Sequence, residues 1–322
     1  MQVFRWLPMA ALVLMASGEH AAAQTYPSRT VKIVVPATTG GAIDLIARSL
    51  AEKMSGSIGQ PVVVENKPGA ANNLGTDFVA KSPPDGYTLL IIASSHATNK
   101  WLYKDLPYDP VKDFEPVVYT HVVPLLLAVH PSVGAKNVQE LAAWIRANPD
   151  KAVYASSGPG SSLHMAAELY MSMTGTKMQQ VPYKGSSAAH PDLLAGRTAM
   201  IFDTVTAIRP HVKSGALRGI AVTTLKRSSA FPELPTIDES GLTGYDASTW
   251  GGILAPARTP KDVVNKLNGS INAALKLDDV RARLLGAGIE IQGGTPAEFG
   301  NVIRAEIDKW GRIVKEAGIQ PE

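Results

Sequence analysis

Val31-Lys32-Ile33-Val34-Val35-Pro36-Ala37-Thr38-Thr39-Gly40-Gly41-Ala42-Ile43-Asp44 is the stretch on which the reading of the fold turns. Its first part is a short, mostly β-branched run that Pro36 ends, the pattern of a buried strand. A loop carrying Gly40-Gly41 follows, and Asp44 opens a helical pattern in which Ile46, Leu50 and Met54 recur four residues apart on one face. Downstream, Val62-Val63-Val64 reads as a second strand closed by the turn Lys67-Pro68-Gly69-Ala70. A helix over about 73–81 leads to the turn Pro83-Pro84-Asp85-Gly86 and a strand over 87–93. The order β-α-β-α-β predicts a parallel sheet with helices on its faces, an α/β fold.

The rhythm breaks at Leu106-Pro107-Tyr108-Asp109-Pro110 and resumes with strand-like runs at 117–120 and 125–130. Helices are then expected over 138–147, with Asn137 as N-cap, and over 162–174; another ends near Ala195, and one more covers 207–214. They alternate with strands at 152–156, 178–182, 198–203 and 217–223, which makes a second α/β unit. After the proline-rich loop Phe231-Pro232-Glu233-Leu234-Pro235, strands are expected near Tyr245 and over 251–255. The rest is mostly helical: Pro260 begins one helix, a short strand is expected over 289–291, and Thr295-Pro296-Ala297-Glu298 places an N-cap Thr, Pro at N1 and Glu at N3. These last residues are too few to bury a core alone and are expected to pack back on the first sheet. The chain then crosses between two lobes near 120–125 and near 247–252, enclosing a hinged cleft. The expected division is lobe 1 over 24–123 and 251–322, and lobe 2 over 124–250.

Residues 1–23 read as an export signal. Arg5 supplies a positive start, and the apolar run 7–16 falls short of the ~20 residues that a spanning helix needs. Ala21-Ala22-Ala23 offers the small-residue pattern of a cleavage site, which puts the new N-terminus at Gln24. The chain has no cysteine, so neither a lipoprotein anchor nor a disulfide is available, and the expected destination is the periplasm. Apolar residues are 45% and charged residues 18%, a globular balance. The net charge of +3 survives cleavage because Arg5 and Glu19 leave together, and no basic stripe interleaved with aromatics points to nucleic acid.

In open parallel sheets ligands bind beyond the carboxyl ends of strands, where helix N-termini point. Two loops here suit an anion. In Pro36 to Asp44, paired glycines let peptide N–H groups approach a ligand, the following helix dipole favours negative charge, and Thr38 and Thr39 add hydroxyls. The competing reading is a tight turn capped by Asp44 with nothing bound. The second loop, Ser156-Ser157-Gly158-Pro159-Gly160-Ser161-Ser162, is again small, polar and rich in donors. It lacks the third glycine of a dinucleotide fingerprint and the lysine of a P-loop. A third, Tyr183-Lys184-Gly185-Ser186-Ser187, offers Lys184 to an anion or simply to solvent.

Catalytic constellations are lacking. Gly185-Ser186-Ser187-Ala188-Ala189 has alanine where a nucleophile elbow needs its second glycine. Histidines 96, 121, 130, 164, 190 and 211 form no pair at metal-binding spacing, so no metal or cofactor is expected. His164 reads as a packing or hydrogen-bonding residue, and Asp203, at a strand end, either faces the cleft or caps the next helix.

At this point many motifs, in order, carry a resemblance. They include Tyr26-Pro27-Ser28-Arg29, Gly40-Gly41-Ala42-Ile43-Asp44 with Ala47-Arg48, Val64-Glu65-Asn66-Lys67-Pro68-Gly69-Ala70 and Pro84-Asp85-Gly86-Tyr87-Thr88-Leu89. They continue through Gly158-Pro159-Gly160-Ser161 with His164, Val181-Pro182-Tyr183-Lys184-Gly185, Asp192-Leu193-Leu194-Ala195-Gly196, Phe202-Asp203 and Thr259-Pro260. The chain resembles the substrate-binding proteins of tripartite tricarboxylate transporters, the TctC or Bug family, over essentially all of the exported sequence. The resemblance implies a type II periplasmic-binding-protein fold, two α/β lobes joined by two crossing strands, that closes on a small organic anion and delivers it to membrane permease subunits; some relatives act as sensors instead. It also implies recognition of one carboxylate by backbone amides, hydroxyls and ordered waters. One position departs from the family pattern: Ala37 stands where an aromatic residue usually walls the pocket, which implies a larger and more polar site there.

The expectation is therefore a non-catalytic, monomeric ligand-capture protein. Ala37, Thr38, Thr39, Gly41, Ala42 and Asp44 from one lobe, and Ser157, Gly158, Gly160, Ser161 and His164 from the other, form the carboxylate clasp. Ser94, Ser95, Lys184, Asp203 and Trp250 line the distal part. The rival function is a ligand-sensing adaptor for a membrane sensor kinase, which would use the same pocket; a hydrolase is the third.

Overall fold

A computed structural model describes residues 26–321; the expected export signal and the cleavage point after Ala23 lie outside the described residues. The first strand, β1 (Val31–Val35), is followed by α1 (Ala42–Ile58), β2 (Val62–Asn66), α2 (Asn73–Ala80) and β3 (Thr88–Ile91). β1 pairs in parallel with β2 on one side and β3 on the other. Both of its faces are covered, which is why Val31, Ile33, Val34 and Val35 are all buried; Lys32 is the exception and pairs with Glu65 of β2. In α1 the buried residues Ile43, Ile46, Ala47, Leu50, Ala51 and Met54 make one stripe, and Gly59 ends the helix at φ 74°.

Then come α3 (Ser95–Leu102) and the long strand β4 (Phe114–Val129). Two strands were expected in the latter region, at 117–120 and 125–130. The structure makes them one. His121 is buried, with Nδ1 2.8 Å from Thr120 Oγ1. Pro124, which has no N–H to give, sits where β4 changes neighbours.

The second half contains α4 (Val138–Ala147), β5 (Val153–Ser156), α5 (Ser162–Thr174), β6 (Gln179–Pro182), α6 (Ser186–Leu194), β7 (Met200–Thr204), α7 (Val205–Lys213) and β8 (Arg218–Val222). The chain returns through β9 (Ser248–Pro256), α8 (Lys261–Leu275), α9 (Asp278–Gly286), β10 (Glu290–Ile291) and α10 (Pro296–Glu316). No strand forms near Tyr245. That side chain is instead a buried anchor, its hydroxyl donating to Ala166 O at 2.8 Å.

The strands run in the order β2-β1-β3-β9-β4-β7-β5-β6, with β8 and β10 also pairing with β4. β4 pairs antiparallel with β9 from Phe114 to Pro124, then with β7 from Leu125 to Val129. β9 begins beside the end of β8, where Ala247 N donates to Thr223 O, and runs on to pair with β3. β4 and β9 thus join the two α/β halves. The returning helices close the first half: Val264, Leu267, Ile271 and Leu284 of α8 and α9 share one apolar cluster with Ile33 and Leu50. The other cluster spans the junction, uniting Leu90 with Tyr154, Phe202, Trp250, Phe299 and Trp310. At the start of α10 the capping box forms: Thr295 Oγ1 accepts from Glu298 N, and the Glu298 carboxylate accepts from Thr295 N at 2.7 Å.

Candidate functional site

Because β1, β2 and β3 are parallel, the loops that follow them emerge at one edge of the sheet, and the loops after β5 and β6 emerge likewise in the second half. Between the two groups lies a cavity of about 300 Å3. Ser94, Ser95, Asn72 and Thr249 line it from one side and Ser157, Pro159, Gly160, Ser161 and Ser162 from the other, and among the described residues no Asp, Glu, Lys, Arg or His side chain lines it.

The second-half wall is a loop braced from behind. Gly158 and Gly160 adopt φ +115° and +70°, conformations closed to most residues. Ser161 Oγ donates to Gly158 O at 2.7 Å and accepts from His164 N, so it is the N-cap of α5. Gly160 N donates to His164 Nδ1 at 2.9 Å. A peptide N–H can only donate, so Nδ1 is the bare ring nitrogen and the imidazole proton sits on Nε2, 3.2 Å from Glu168 Oε1. That carboxylate also accepts from Tyr154 OH at 3.1 Å. Gly158 N donates to Ser156 Oγ at 3.2 Å, so the N–H groups of Gly158 and Gly160 are both engaged within the protein. The donors α5 leaves for a ligand are the first-turn N–H groups of Ser162 and Leu163, together with the hydroxyls of Ser157 and Ser162.

The opposite wall was only partly legible. Ser94 and Ser95 start α3, a helix the sequence did not announce. Ser94 Oγ lies 3.2 Å from Thr249 Oγ1, and Asn72 Nδ2 donates to Ser95 Oγ at 2.8 Å. Asn72 ends a short turn in which Ala70, Ala71 and Asn72 all have positive φ, at 47°, 49° and 76°. Such strain persists only where the surroundings impose it. Here Asn99 Nδ2 donates to Ala71 O at 2.9 Å and to Asn73 Oδ1 at 2.7 Å, and Tyr108 OH donates to the same oxygen at 2.7 Å.

The remaining expected residues do not line this cavity. Thr38, Thr39 and Gly41 are exposed, with Ala37 and Ala42 half-buried, in the neighbouring loop after β1. Asp44 is buried beneath that loop. Burial alone would raise its pKa, but hydrogen bonds from Arg48 Nε, Gly40 N and Asn66 Nδ2 at 2.9–3.0 Å hold it down at about 2. Its carboxylate shapes the loop and is not open to an anionic ligand. Lys184 is exposed on the loop after β6. Asp203 is fully buried, 2.6 Å from His190 Nε2, and Thr204 N donates to its other oxygen.

Trp250 lies on the other face of β9. Successive strand residues point opposite ways, so Thr249 borders the first cavity while Ser248 and Trp250 border a second one of about 540 Å3. There the Trp250 and Trp310 indoles both donate to Glu306 Oε2 at 2.8 Å. Reasoning from sequence missed Asn72, Thr249, Ile319 and Gln320, all of which border the first cavity. None sits in a motif, and the fold alone gathers them. Among the described residues no cluster of His, Cys, Asp or Glu is arranged to hold a metal ion, and no helix is long and apolar enough to cross a membrane.

Comparison with known proteins returns one consistent picture. A family model described as tripartite tricarboxylate transporter family receptor matches residues 46–319. Protein BugT of Bordetella pertussis is 36% identical over 322 residues, covering 99% of each chain. Among solved structures, Rpa4515 of R. palustris with adipate superposes with a TM-score of 0.81 at 39% identity, covering 92% of this chain and all (100%) of that one. MatC (Rpa3494) from Rhodopseudomonas palustris with bound malate gives a TM-score of 0.76 at 31% identity, covering 90% of this chain and 100% of that one.

Proposed function

The chain belongs to the tripartite tricarboxylate transporter receptor family, and from that premise we propose that it captures a small organic carboxylate in the periplasm for a membrane permease. It is a solute-binding protein rather than an enzyme, with the periplasmic-binding-protein fold of its relatives. One observation carries the choice of ligand class: the cavity between the strand-end loops combines neutral hydroxyl, amide and peptide donors with apolar surface at Leu102 and Ile319, and no charged side chain among the described residues lines it. An ionised carboxylate loses much by leaving water unless such donors replace its hydration, and hydrogen bonds to a charged group are worth ~1.5–3 kcal/mol each. A few of them support micromolar binding after the costs of association.

In this reading the first-turn N–H groups of α5 and the hydroxyls of Ser157 and Ser162 hold the carboxylate from lobe 2, residues 124–250, while Ser161 caps the helix. Ser94 and Ser95 meet it from lobe 1, residues 24–123 and 251–322. β4 and β9 are the hinge, and closure brings the exposed loop of Thr38, Thr39 and Gly41 onto the same acid. His164 keeps the Gly160 turn in shape from behind. The export signal is removed after Ala23 as the chain is exported, and the captured acid passes to permease subunits.

A thermal-shift screen of adipate, malate and citrate, beside their neutral amides, tests the proposal. An acid at 100 times its dissociation constant adds ~2.7 kcal/mol of stability and raises Tm by about 4 °C. If no acid raises Tm, or the amides raise it equally, carboxylate capture is wrong.

A further inference from the structure

We infer that Ile319 and Gln320, the residues that follow α10, form the outer wall of the acid cavity and select for a polar group at the far end of the ligand. The inference rests on the acid-capture reading and adds a specificity determinant to it.

Both residues border the cavity, although they lie more than 150 positions from its serine loops in the chain. They are brought there by α10, which lies against both α3 and α5, the two helices whose N-termini flank the site. On the first side Trp101 Nε1 donates to Ile307 O at 2.8 Å. There α10 approaches so closely that a Cβ on Gly311 would meet the Trp101 ring at 2.6 Å. On the second side Ser172 Oγ of α5 donates to Glu316 Oε2 at 3.2 Å.

The helix then stops in a fixed way. Gly318 takes φ +65°, and Ile319 N donates back to Val314 O at 3.0 Å, which turns the chain toward the cavity. Ile319 is half-buried against the core that includes Leu102, whereas Gln320 stays exposed at the mouth. The Gln320 amide gives one N–H to Gly318 O at 3.2 Å, and the group has a second N–H and an acceptor oxygen besides.

The wall therefore runs from apolar, at Leu102 and Ile319, to a neutral amide. That sequence fits a chain of methylenes ending in a second carboxylate or a hydroxyl: a diacid, with its near carboxylate on the α5 turn and its far end at Gln320. Ile319 limits the girth of the methylene section, and Gln320 sets the reach of the polar end.

Calorimetric titration of succinate, glutarate, adipate, pimelate, suberate and the monoacid hexanoate into three proteins tests this: the wild type, Gln320→Ala, and a variant ending at Gly318. Gln320→Ala is expected to weaken the best-bound diacid about fivefold to tenfold and to leave hexanoate within about twofold, since one hydrogen bond is lost for the diacid alone. The variant ending at Gly318 is expected to lose preference among the diacid lengths. Should that variant fold poorly, Ile319→Trp replaces it and is expected to disfavour every diacid by narrowing the passage. Unchanged diacid affinities in Gln320→Ala, or equal losses for diacid and hexanoate, overturn the inference while acid capture stands. Absence of binding to any acid by the wild type overturns both.

Discussion

Gly160 and Leu102 meet across the cleft, one from the loop before α5 and the other from the end of α3, and a single methyl group probes that contact. At Gly160 a Cβ would lie 2.2 Å from Leu102 Cδ1, and the backbone is at φ +70°. Gly160→Ala therefore has two costs: about 1–2 kcal/mol for a left-handed alanine and about 1–3 kcal/mol for overpacking against Leu102. Only the second disappears when Leu102 is truncated. Leu102→Ala alone should cost about 2–5 kcal/mol as a cavity mutation. The double variant should be more stable than the sum of the two singles predicts by about 1–3 kcal/mol. Urea unfolding of the four proteins measures this cycle. Titration with adipate, or with whichever acid the screen selects, should show Gly160→Ala weakened about tenfold and the double variant partly restored. Additivity of the stabilities within about 0.5 kcal/mol would mean that the two walls do not touch in solution, and the geometry assigned to the cavity would be refuted.

Other variants separate shape from chemistry. His164→Leu removes the acceptor of the Gly160 N–H; stability should fall by about 1–3 kcal/mol and acid affinity about tenfold, read by urea unfolding and calorimetry. Asp44→Asn should cost about 2 kcal/mol at neutral pH, because a carboxyl held at about 2 contributes stability that is present above its unfolded pKa of about 4 and lost between about pH 4 and 2; the difference from wild type should vanish at the acid end of that window. Burial pushes His96 down to about 4 and His121 to about 3. The unfolded chain takes up protons at these sites below about pH 6.5 while the folded one refuses them, so stability should fall as pH drops from about 6.5 toward 4. His96→Phe, which keeps a ring beside Tyr108 and Phe114, should flatten that fall in urea midpoints measured across the same pH range.

Sequence and structure agree most where one physical signal dominates. β1, β2 and α1 were legible because apolar runs stand between glycine and proline turns, and α10 because its capping box is a local event. α3 was not, because the face it buries is polar: His96, Thr98 and Asn99 are inside, with Ala97 and Leu102 the only apolar residues buried with them. β4 was split on paper at His121 and Pro124, whose burial and position depend on the β9 and β7 partners. At the site, Ser94, Ser95, Ser157, Gly160 and Ser161 could be proposed because small polar residues cluster after strands. Asn72, Thr249, Ile319 and Gln320 carry no such mark and arrive through tertiary folding alone. Trp250 shows the limit of reading one strand without its neighbours: shifting the register of β9 by one residue would exchange the cavity that Thr249 borders for the one Trp250 borders.

A crystal structure of the protein grown with adipate examines the account at its centre. One carboxylate should lie within hydrogen-bond distance of the Ser162 or Leu163 peptide N–H and the Ser157 hydroxyl, with Ser94 or Ser95 facing it. Adipate resting beside Trp250 and Glu306, or held by an ion pair to Lys184 instead, would contradict it.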